Sequence, residues 1–440
     1  MVLFNNFWNI FKIPELSRKL FFTLTVLIIY RIGVFIPVSG INIDLLAETM
    51  KSSNFVGGFL SYLNTFSGGA LQQCALFALG ISPYIVASLV MQFASMAIPQ
   101  LEALSKEGEY GRRIINQYTR YLTLILGIVY SSGLLTYLAT YNLVLTPGIG
   151  FKLFFVLCLT SGAMFVMWLG EQISLYGLGN GSSMLIFAGI VSAFPQDVLR
   201  TVLQVQEGNM SLLVALGILA FFITVAAAIV YLEKGERKIP VHYARRVVGQ
   251  RVYGGQSTYI PFKINNVGVM PAIFASTILS IPSAVFSFLA NYFNWEALSL
   301  LATDLSRGGV MYNILTFVLI IVFTFVYTSI IFDPNELSQN LKKNGGFIPG
   351  IRPGKQTADE LDKILTRLGL VGAIYLACLA LLPNILQALV YMPFVLGGTS
   401  LLIVVGVGLE LSSQLEAYLL ESNYAGFLTS GSRIKSRAAR

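Results

Sequence analysis

FLSYLNTFSGGALQQCALFALGISPYIVASLVMQFASMAIP, residues 59–99, is the stretch on which the fold turns. Its first part is mixed, with Ser67, Gly68 and Gly69 in a row and Gln72 and Gln73 behind them. Residues 74–98 are almost wholly apolar, yet Gly80 and Pro83 interrupt them. Pro83 has no backbone N–H to donate, and Gly68 and Gly69 weaken any helix drawn through them. A helix facing lipid gains nothing from such breaks, because hydrocarbon offers a freed carbonyl no partner. Broken helices survive where they line a cavity enclosed by protein. A short re-entrant piece followed by a membrane-crossing helix beside a pore is therefore expected here.

The composition of the whole chain agrees with a membrane setting. Of 440 residues, 55% are hydrophobic and only 11% charged, and the mean hydropathy is +0.72. Soluble domains carry about a quarter charged residues, so the class is a polytopic membrane protein. Cys74, Cys158 and Cys378 all sit in apolar runs, where an odd number reads as small buried hydrophobes and not as a disulfide framework. His242 is the single histidine, which leaves no His-based metal cluster, and no nucleophile–base pair stands out. No enzyme activity, metal or cofactor is expected.

Apolar runs place ten spans near 20–36, 75–98, 116–139, 151–170, 183–199, 211–232, 267–290, 311–332, 368–389 and 394–415. Most are close to the ~20 residues a helix needs to cross the hydrocarbon. The opening NFWNIFKIPELSRKL, with Trp8, Phe11 and Lys12, is amphipathic and suits the membrane surface. A signal peptide fits less well, since no small-residue cleavage site closes the first apolar run. Of the 29 Lys and Arg, 24 fall before span one, in the loops after spans two, six and eight, or in the tail. Arg31, Lys51, Lys152, Arg200 and Arg307 are the five on the other side. By the positive-inside rule both termini are cytoplasmic.

The expected organisation is an N-terminal half at 1–200 with spans one to five, span six at 201–232 and a cytoplasmic loop at 233–266. Spans seven and eight follow at 267–332, a second loop at 333–367, spans nine and ten at 368–415, and a basic cytoplasmic tail at 416–440. Five crossings per half start the second half on the opposite side, so any structural repeat is inverted. Spans two and seven then correspond, and span seven is also interrupted, by Gly268, Pro271 and Pro282. Interrupted segments at matching places in two halves point to a central pathway.

No charge lies between Leu71 and Ile98 or between Val267 and Asn294. An ion- or proton-coupled transporter usually has an ionisable group near the midplane of its core helices. Ser82, Ser88, Gln92, Ser276, Thr277 and Ser280 supply polarity without charge, and on spacing alone they read as hydrogen bonding between helices. Arg120 and Glu410 lie toward the cytoplasmic ends of their spans, where a long side chain snorkels. A secondary transporter with inverted repeats is the rival from another class, and a non-conducting assembly scaffold is a third reading.

The loop at 233–266, EKGERKIPVHYARRVVGQRVYGGQSTYIPFKINN, alternates apolar and basic residues around a Gly254-Gly255 turn, which suits a β-like excursion from the membrane. The second loop contains GIRPGK, one residue short of a phosphate-binding loop and with Gln356 where Ser or Thr belongs. A cationic docking surface for an acidic or nucleic-acid partner fits both loops better. Topology alone explains the sign of these charges but not the length of the loops.

Six blocks together carry a resemblance: ALGISPYIVASLVMQ (78–92), EGEYGRRIINQYTRYLT (107–123), MWLGEQISLYGLGNGSS (167–183), GVMPAIFAS (268–276), NLKKNGGFIPGIRPGKQTADELDKILTR (340–367) and PFVLGGTSLLIVV (393–405). They are similar, in order and over nearly the whole chain, to the SecY/Sec61-alpha family, the central subunit of the bacterial Sec translocon. The resemblance implies an all-α protein-conducting channel in the bacterial plasma (inner) membrane, with ten transmembrane helices in two inverted five-helix halves around an hourglass pore. It also implies a lateral gate between spans two and seven through which helices leave into the lipid bilayer.

Matched block by block, the pore ring falls on Ile81, Ile85, Ile186, Ile273, Ile281 and Ile403. The plug near 60–71 includes Asn64, Thr65, Phe66, Ser67, Gly68, Gly69, Ala70 and Leu71. Lateral-gate positions are Ser88, Gln92, Tyr130, Ser276 and Thr277; Tyr130 stands where bacterial relatives often carry glutamine. Docking of the motor SecA and the ribosome maps to Arg245, Arg246, Arg251, Arg352 and Lys355. SecE and SecG, the small membrane subunits, and signal-sequence-bearing precursors are the other implied partners. A ring of β-branched side chains is stiff and apolar, so an empty waist dewets and blocks ions.

Overall fold

The apolar runs fold as helices. The structure, a computed structural model, describes residues 13–43, 45–46, 63–140, 142–145, 148–243, 246–248, 251–253, 257–265, 267–293, 300–301, 304–305, 309–389 and 398–437. Outside them lie the opening residues Trp8, Phe11 and Lys12, positions 60–62, the Gly254-Gly255 turn, and the cations Lys51, Arg245, Arg307 and Arg440.

In chain order the helices are α1 Pro14–Val34, α2 Ser82–Ala97, α3 Pro99–Lys106, α4 Glu109–Thr140, α5 Ile149–Tyr176, α6 Gly181–Gln206 and α7 Leu212–Lys234. After four strands come α8 Met270–Phe293, α9 Val310–Ile331, α10 Pro334–Lys343, α11 Lys355–Leu389 and α12 Gly398–Arg437. Local chemistry sets several of the starts. Pro14, Pro83, Pro99 and Pro334 each stand in the first turn of a helix, where the missing N–H has no intrahelical partner to lose. Asp333 caps α10 by accepting from the Asn335 N–H at 2.9 Å, and Ser211 caps α7 through the Val214 N–H.

Among the described residues, seven helices are long and apolar enough to cross a membrane, and α2 with α3, bent by 101°, makes an eighth. The other two long helices are α1, with Arg18 and Lys19 at one end and Arg31 at the other, and α8, which has Pro282 inside it. They coincide with two further apolar runs, so the helices are consistent with ten spans while seven or eight meet the length and apolarity needed.

One expectation is corrected. Span two does not begin near residue 75, and Pro83 is the start of its helix and not a break within it. Residues 67–81 form a run of turns with left-handed backbone at Gly68, Gly69, Cys74 and Gly80, a conformation no α-helix admits.

The chain divides into two compact units: unit 1 is Met1–Val198 with Val407–Arg440, and unit 2 is Leu199–Gly406. In unit 1, α4 packs along α5 and α2. Gly127 sits so close to Thr160 that an added Cβ would be 3.2 Å from its Cγ2, and the Ser131 and Thr160 hydroxyls are 3.4 Å apart. Arg120 on α4 does not snorkel alone: its Nε and Nη2 donate to both carboxylate oxygens of Glu171 on α5, at 2.9 and 2.7 Å. This forked geometry ties the two helices more specifically than a single ion pair would.

Unit 2 carries the strands β1 Glu236–Tyr243, β2 Arg246–Val248, β3 Arg251–Tyr253, β4 Ser257–Lys263 and β5 Gly346–Phe347. β1 pairs antiparallel with β4, Ile239 opposite Ile260, as the alternating loop at 233–266 predicts. β5 comes from the second long loop and adds to the other side of β1, with His242 opposite Phe347. Ile239 and Phe262 bury one face of this sheet against Ile348, Leu361 and Leu365, with Phe332 and Ile351 packed around them. The two loops thus meet in one small body with its own core.

Candidate functional site

The turn-rich segment at 63–81 is enclosed irregular backbone in unit 1. Leu63, Phe66, Ser67, Ala70, Leu71 and Cys74 are all buried. Such backbone needs partners for its polar groups, and short-range bonds supply many of them. The Ser67 N–H donates to Leu63 O at 2.8 Å, Gly69 to Asn64 O at 3.0 Å, and Ala75 to Ala70 O at 2.9 Å.

The end of the segment is anchored next to α1. The Val38 N–H donates to Cys74 O at 3.0 Å and the Leu76 N–H to Ile36 O at 2.8 Å, a short antiparallel bridge around Pro37 and Ala75. Phe77 stacks between Tyr30 and Phe165, with ring centroids 6.1 and 5.9 Å away. A Cβ on Gly162 would lie 2.1 Å from Leu76 O, so the α5 backbone meets the segment directly.

The middle of the segment is seated on α6. Gly68 is left-handed, with φ +66°, and an added Cβ would be 2.9 Å from Gly189 Cα. A Cβ on Gly189 would in turn be 2.9 Å from Phe66 O. Gly68 and Gly189 thus serve close backbone approach.

Arg31, in the last turn of α1, reaches this seat. Its Nη1 donates to Gly68 O at 2.9 Å and to Ser192 Oγ on α6 at 3.0 Å, while its guanidinium lies 4.7 Å from the Phe35 ring centre. The Ser192 hydroxyl donates onward to Gly189 O at 2.7 Å. From the sequence Arg31 is only one of five cations opposite the cytoplasmic side. Its position after Tyr30 in an apolar run is the single signal that could have marked it.

The six isoleucines divide three to a unit: Ile81, Ile85 and Ile186 in unit 1, and Ile273, Ile281 and Ile403 in unit 2. Ile81 immediately precedes α2 and Ile85 is one turn on, so the helix start brings those two together. The Cδ1 atoms of Ile81 and Leu185 both point at Gly170 on α5, 3.5 and 3.4 Å from where its Cβ would be. Five of the six are 4% exposed or less; Ile281, beside Pro282, is 37% exposed.

Of the gate positions, Ser88 and Gln92 are half-buried on α2, Tyr130 is half-buried on α4, and Ser276 and Thr277 are buried on α8. The serine and threonine hydroxyls each donate within their own helix. Ser88 donates to Ile85 O at 2.9 Å, Ser276 and Thr277 to Ile273 O at 2.9 and 2.7 Å, and Ser280 to Thr277 O at 2.6 Å. Returning a hydroxyl to its own helix keeps a polar residue compatible with an apolar neighbour.

Arg352 stands exposed in the link between β5 and α11, between Pro349–Gly350 and Pro353–Gly354. Gly350 and Gly354 are left-handed, and the carbonyls around the arginine are held: Thr357 Oγ1 donates to Arg352 O at 2.9 Å and Ser338 Oγ to Gly354 O at 2.7 Å. The backbone is braced and the guanidinium is presented. Lys355, exposed, opens α11. Arg246 and Arg251 lie on β2 and β3, opposite Tyr253 and Val248, and Arg245 falls outside the described residues. On β1, Lys238 bridges to Glu236 at 3.1 Å and lies 4.7 Å over the Tyr259 ring, and the Glu236 hydrogen bond raises its pKa.

A family model described as SecY matches residues 75–412. The chain is 44% identical over 418 residues to the protein translocase subunit SecY of Escherichia coli K12, covering 94% of each. It is 43% identical over 447 residues to the subunit of that name from Thermus thermophilus, covering 98% of this chain and 99% of that one. Among solved structures it is similar to one described as a protein conducting channel, with a TM-score of 0.64 at 19% identity over 93% of this chain and 96% of that one. It is also similar to Sec61 in a canine ribosome-channel complex, with a TM-score of 0.60 at 18% identity over the same shares.

Proposed function

The chain belongs to the SecY family, and on that premise we propose how its residues divide the work of a translocase. The protein is a multi-pass membrane channel that passes unfolded secretory polypeptides across the bilayer and releases transmembrane helices sideways into it. The observation that carries this is identity of 44% to a translocase subunit over 94% of both chains. The transporter alternative has no such relative behind it.

Within the channel, residues 64–71 act as the plug and the six isoleucines as the waist. The burial of the segment and the near-complete burial of five isoleucines support these roles. Ser88, Gln92, Tyr130, Ser276 and Thr277 line the lateral gate, and the Ser88, Ser276 and Thr277 hydroxyls, bonded within their own helices, suit an apolar departing helix. Both termini are cytoplasmic, so the β-bearing body of unit 2 faces the cytoplasm. There the motor SecA or the ribosome meets Arg352, Lys355 and the arginines at 245, 246 and 251. SecE- and SecG-type subunits complete the assembly. The chain itself catalyses no reaction, and the energy comes from its partners or from the membrane potential.

Reconstituted vesicles test this reading. With the motor, ATP and a secretory precursor, the precursor is expected to become protease-protected inside. Gradient-driven uptake of a small solute without precursor transport would overturn it.

A further inference from the structure

The strongest feature not yet given a role is the bracket at the end of α1. Arg31 contacts two elements through one nitrogen: the carbonyl of Gly68 in the buried segment and the hydroxyl of Ser192 on α6. Ser192 passes the interaction on to Gly189 O, on the residue against whose backbone Gly68 and Phe66 are packed. A helix end, the segment and its seat are thus joined by one charged group.

We infer that Arg31 is a positioning residue that latches the 64–71 segment onto α6 and so sets how readily the channel admits a substrate. The inference rests on the reading of that segment as the plug. The physical case has three parts. A hydrogen bond from a charged donor is stronger than one between neutral groups, and a guanidinium keeps its charge at any physiological pH. The carbonyl that receives it belongs to a left-handed glycine whose backbone is packed against Gly189 in the seat. Leaving the seat separates Arg31 from Gly68 O and ends the Gly68–Gly189 approach, so one charged contact and one packing contact are lost in the same step. An equilibrium held by such a contact is biased by removing it, without any change at the waist.

The experiment uses the full chain with its co-purifying subunits in vesicles and planar bilayers. It reads closed-state ion conductance and transport of a precursor with a defective signal sequence. Arg31→Gln is expected to raise the conductance about tenfold, the factor a lost charged hydrogen bond commands, and to pass the defective precursor more readily. Ser192→Ala is expected to do the same to a smaller degree, and the double variant to add little to Arg31→Gln alone, because both act through one bracket. Arg31→Lys keeps the charge but not the planar geometry, and falls between wild type and Arg31→Gln.

Deletion of residues 64–71 separates the two levels of the inference. In that background Arg31→Gln should change nothing. If the deletion leaks while Arg31→Gln, Arg31→Lys and Ser192→Ala all behave as wild type, the latch is overturned and the plug stands. If neither deletion nor latch variants leak, the plug reading fails and the latch with it. If Arg31→Gln does not accumulate, Ser192→Ala and Arg31→Lys decide: unchanged conductance and unchanged signal-sequence selection in both overturn the latch.

Discussion

Two connecting regions of this chain abandon the transmembrane helix, and they solve the same problem in opposite ways. Residues 63–81 stay inside unit 1, where irregular backbone must find its partners locally. They do it with tight turns, four left-handed residues and glycine contacts close enough to exclude a Cβ. The loops at 233–266 and 333–367 leave the membrane-length runs of unit 2 and meet in a shared sheet, β4-β1-β5, around a core at Leu361. The latter loop adds only Gly346–Phe347 to the sheet, while α10 and the start of α11 satisfy much of the rest of its backbone. The first solution is dense and intolerant of added volume. The second is modular, with Lys238, Arg352 and Lys355 exposed on a braced frame.

The largest effect that would sharpen this contrast is expected at Arg352. Arg352→Glu reverses the presented charge without touching any buried contact. Motor-driven precursor transport should fall to background while the protein accumulates and stays sealed to ions. Normal transport at physiological salt would reduce the loop to a topology signal.

Gly68→Val addresses the dense region. A β-branched residue at φ +66° costs about 1–2 kcal/mol in backbone strain alone, and its Cβ would be 2.9 Å from Gly189 Cα. The seat should fail, raising closed-state conductance by about tenfold or more while binding of the motor to unit 2 is unchanged. A stable, tightly sealed Gly68→Val protein would show that the close approach does not hold the segment.

Ile403 is fully buried near the start of α12, and Ile403→Asn distinguishes a waist from ordinary packing. At a dry constriction the amide draws water in, giving a smaller rise in leak and easier passage of precursors with defective signals. In a packed core it costs about 1–3 kcal/mol as a buried polar group and lowers the amount of protein with no gain in either readout.

The smallest effect belongs to the exposed frame. Lys238→Ala removes an ion pair with Glu236 and a stacked contact with Tyr259, both on the solvent side of β1. Exposed pairs of this kind contribute at most about 1 kcal/mol, so the thermal midpoint should hardly move. A large loss of stability would mean that the unit 2 body depends on its surface as well as its core.

Several features were legible because their signals are local. Charge content of 11% set the membrane class, apolar runs of the right length marked the spans, and alternation from residue 236 to 263 announced a β excursion, which folds as the β1–β4 pair. Pro83 was visible as a break, but its meaning depends on which side the helix lies. The left-handed turns before it decide that. The family blocks named the isoleucines, the plug and the docking arginine, yet said nothing of Arg31.

What the sequence by itself determined is therefore class, the approximate course of the spans other than the start of the second, and family, each written in composition, in periodicity or in short contiguous motifs. Only the tertiary structure decided that β5, two residues long, closes a sheet begun a hundred positions earlier. The same holds for Arg120 finding Glu171, and for Arg31 reaching Gly68 and Ser192. A hydrogen bond needs its atoms near 3 Å, and residues 37, 51 or 161 positions apart reach that distance only after the helices that carry them have packed.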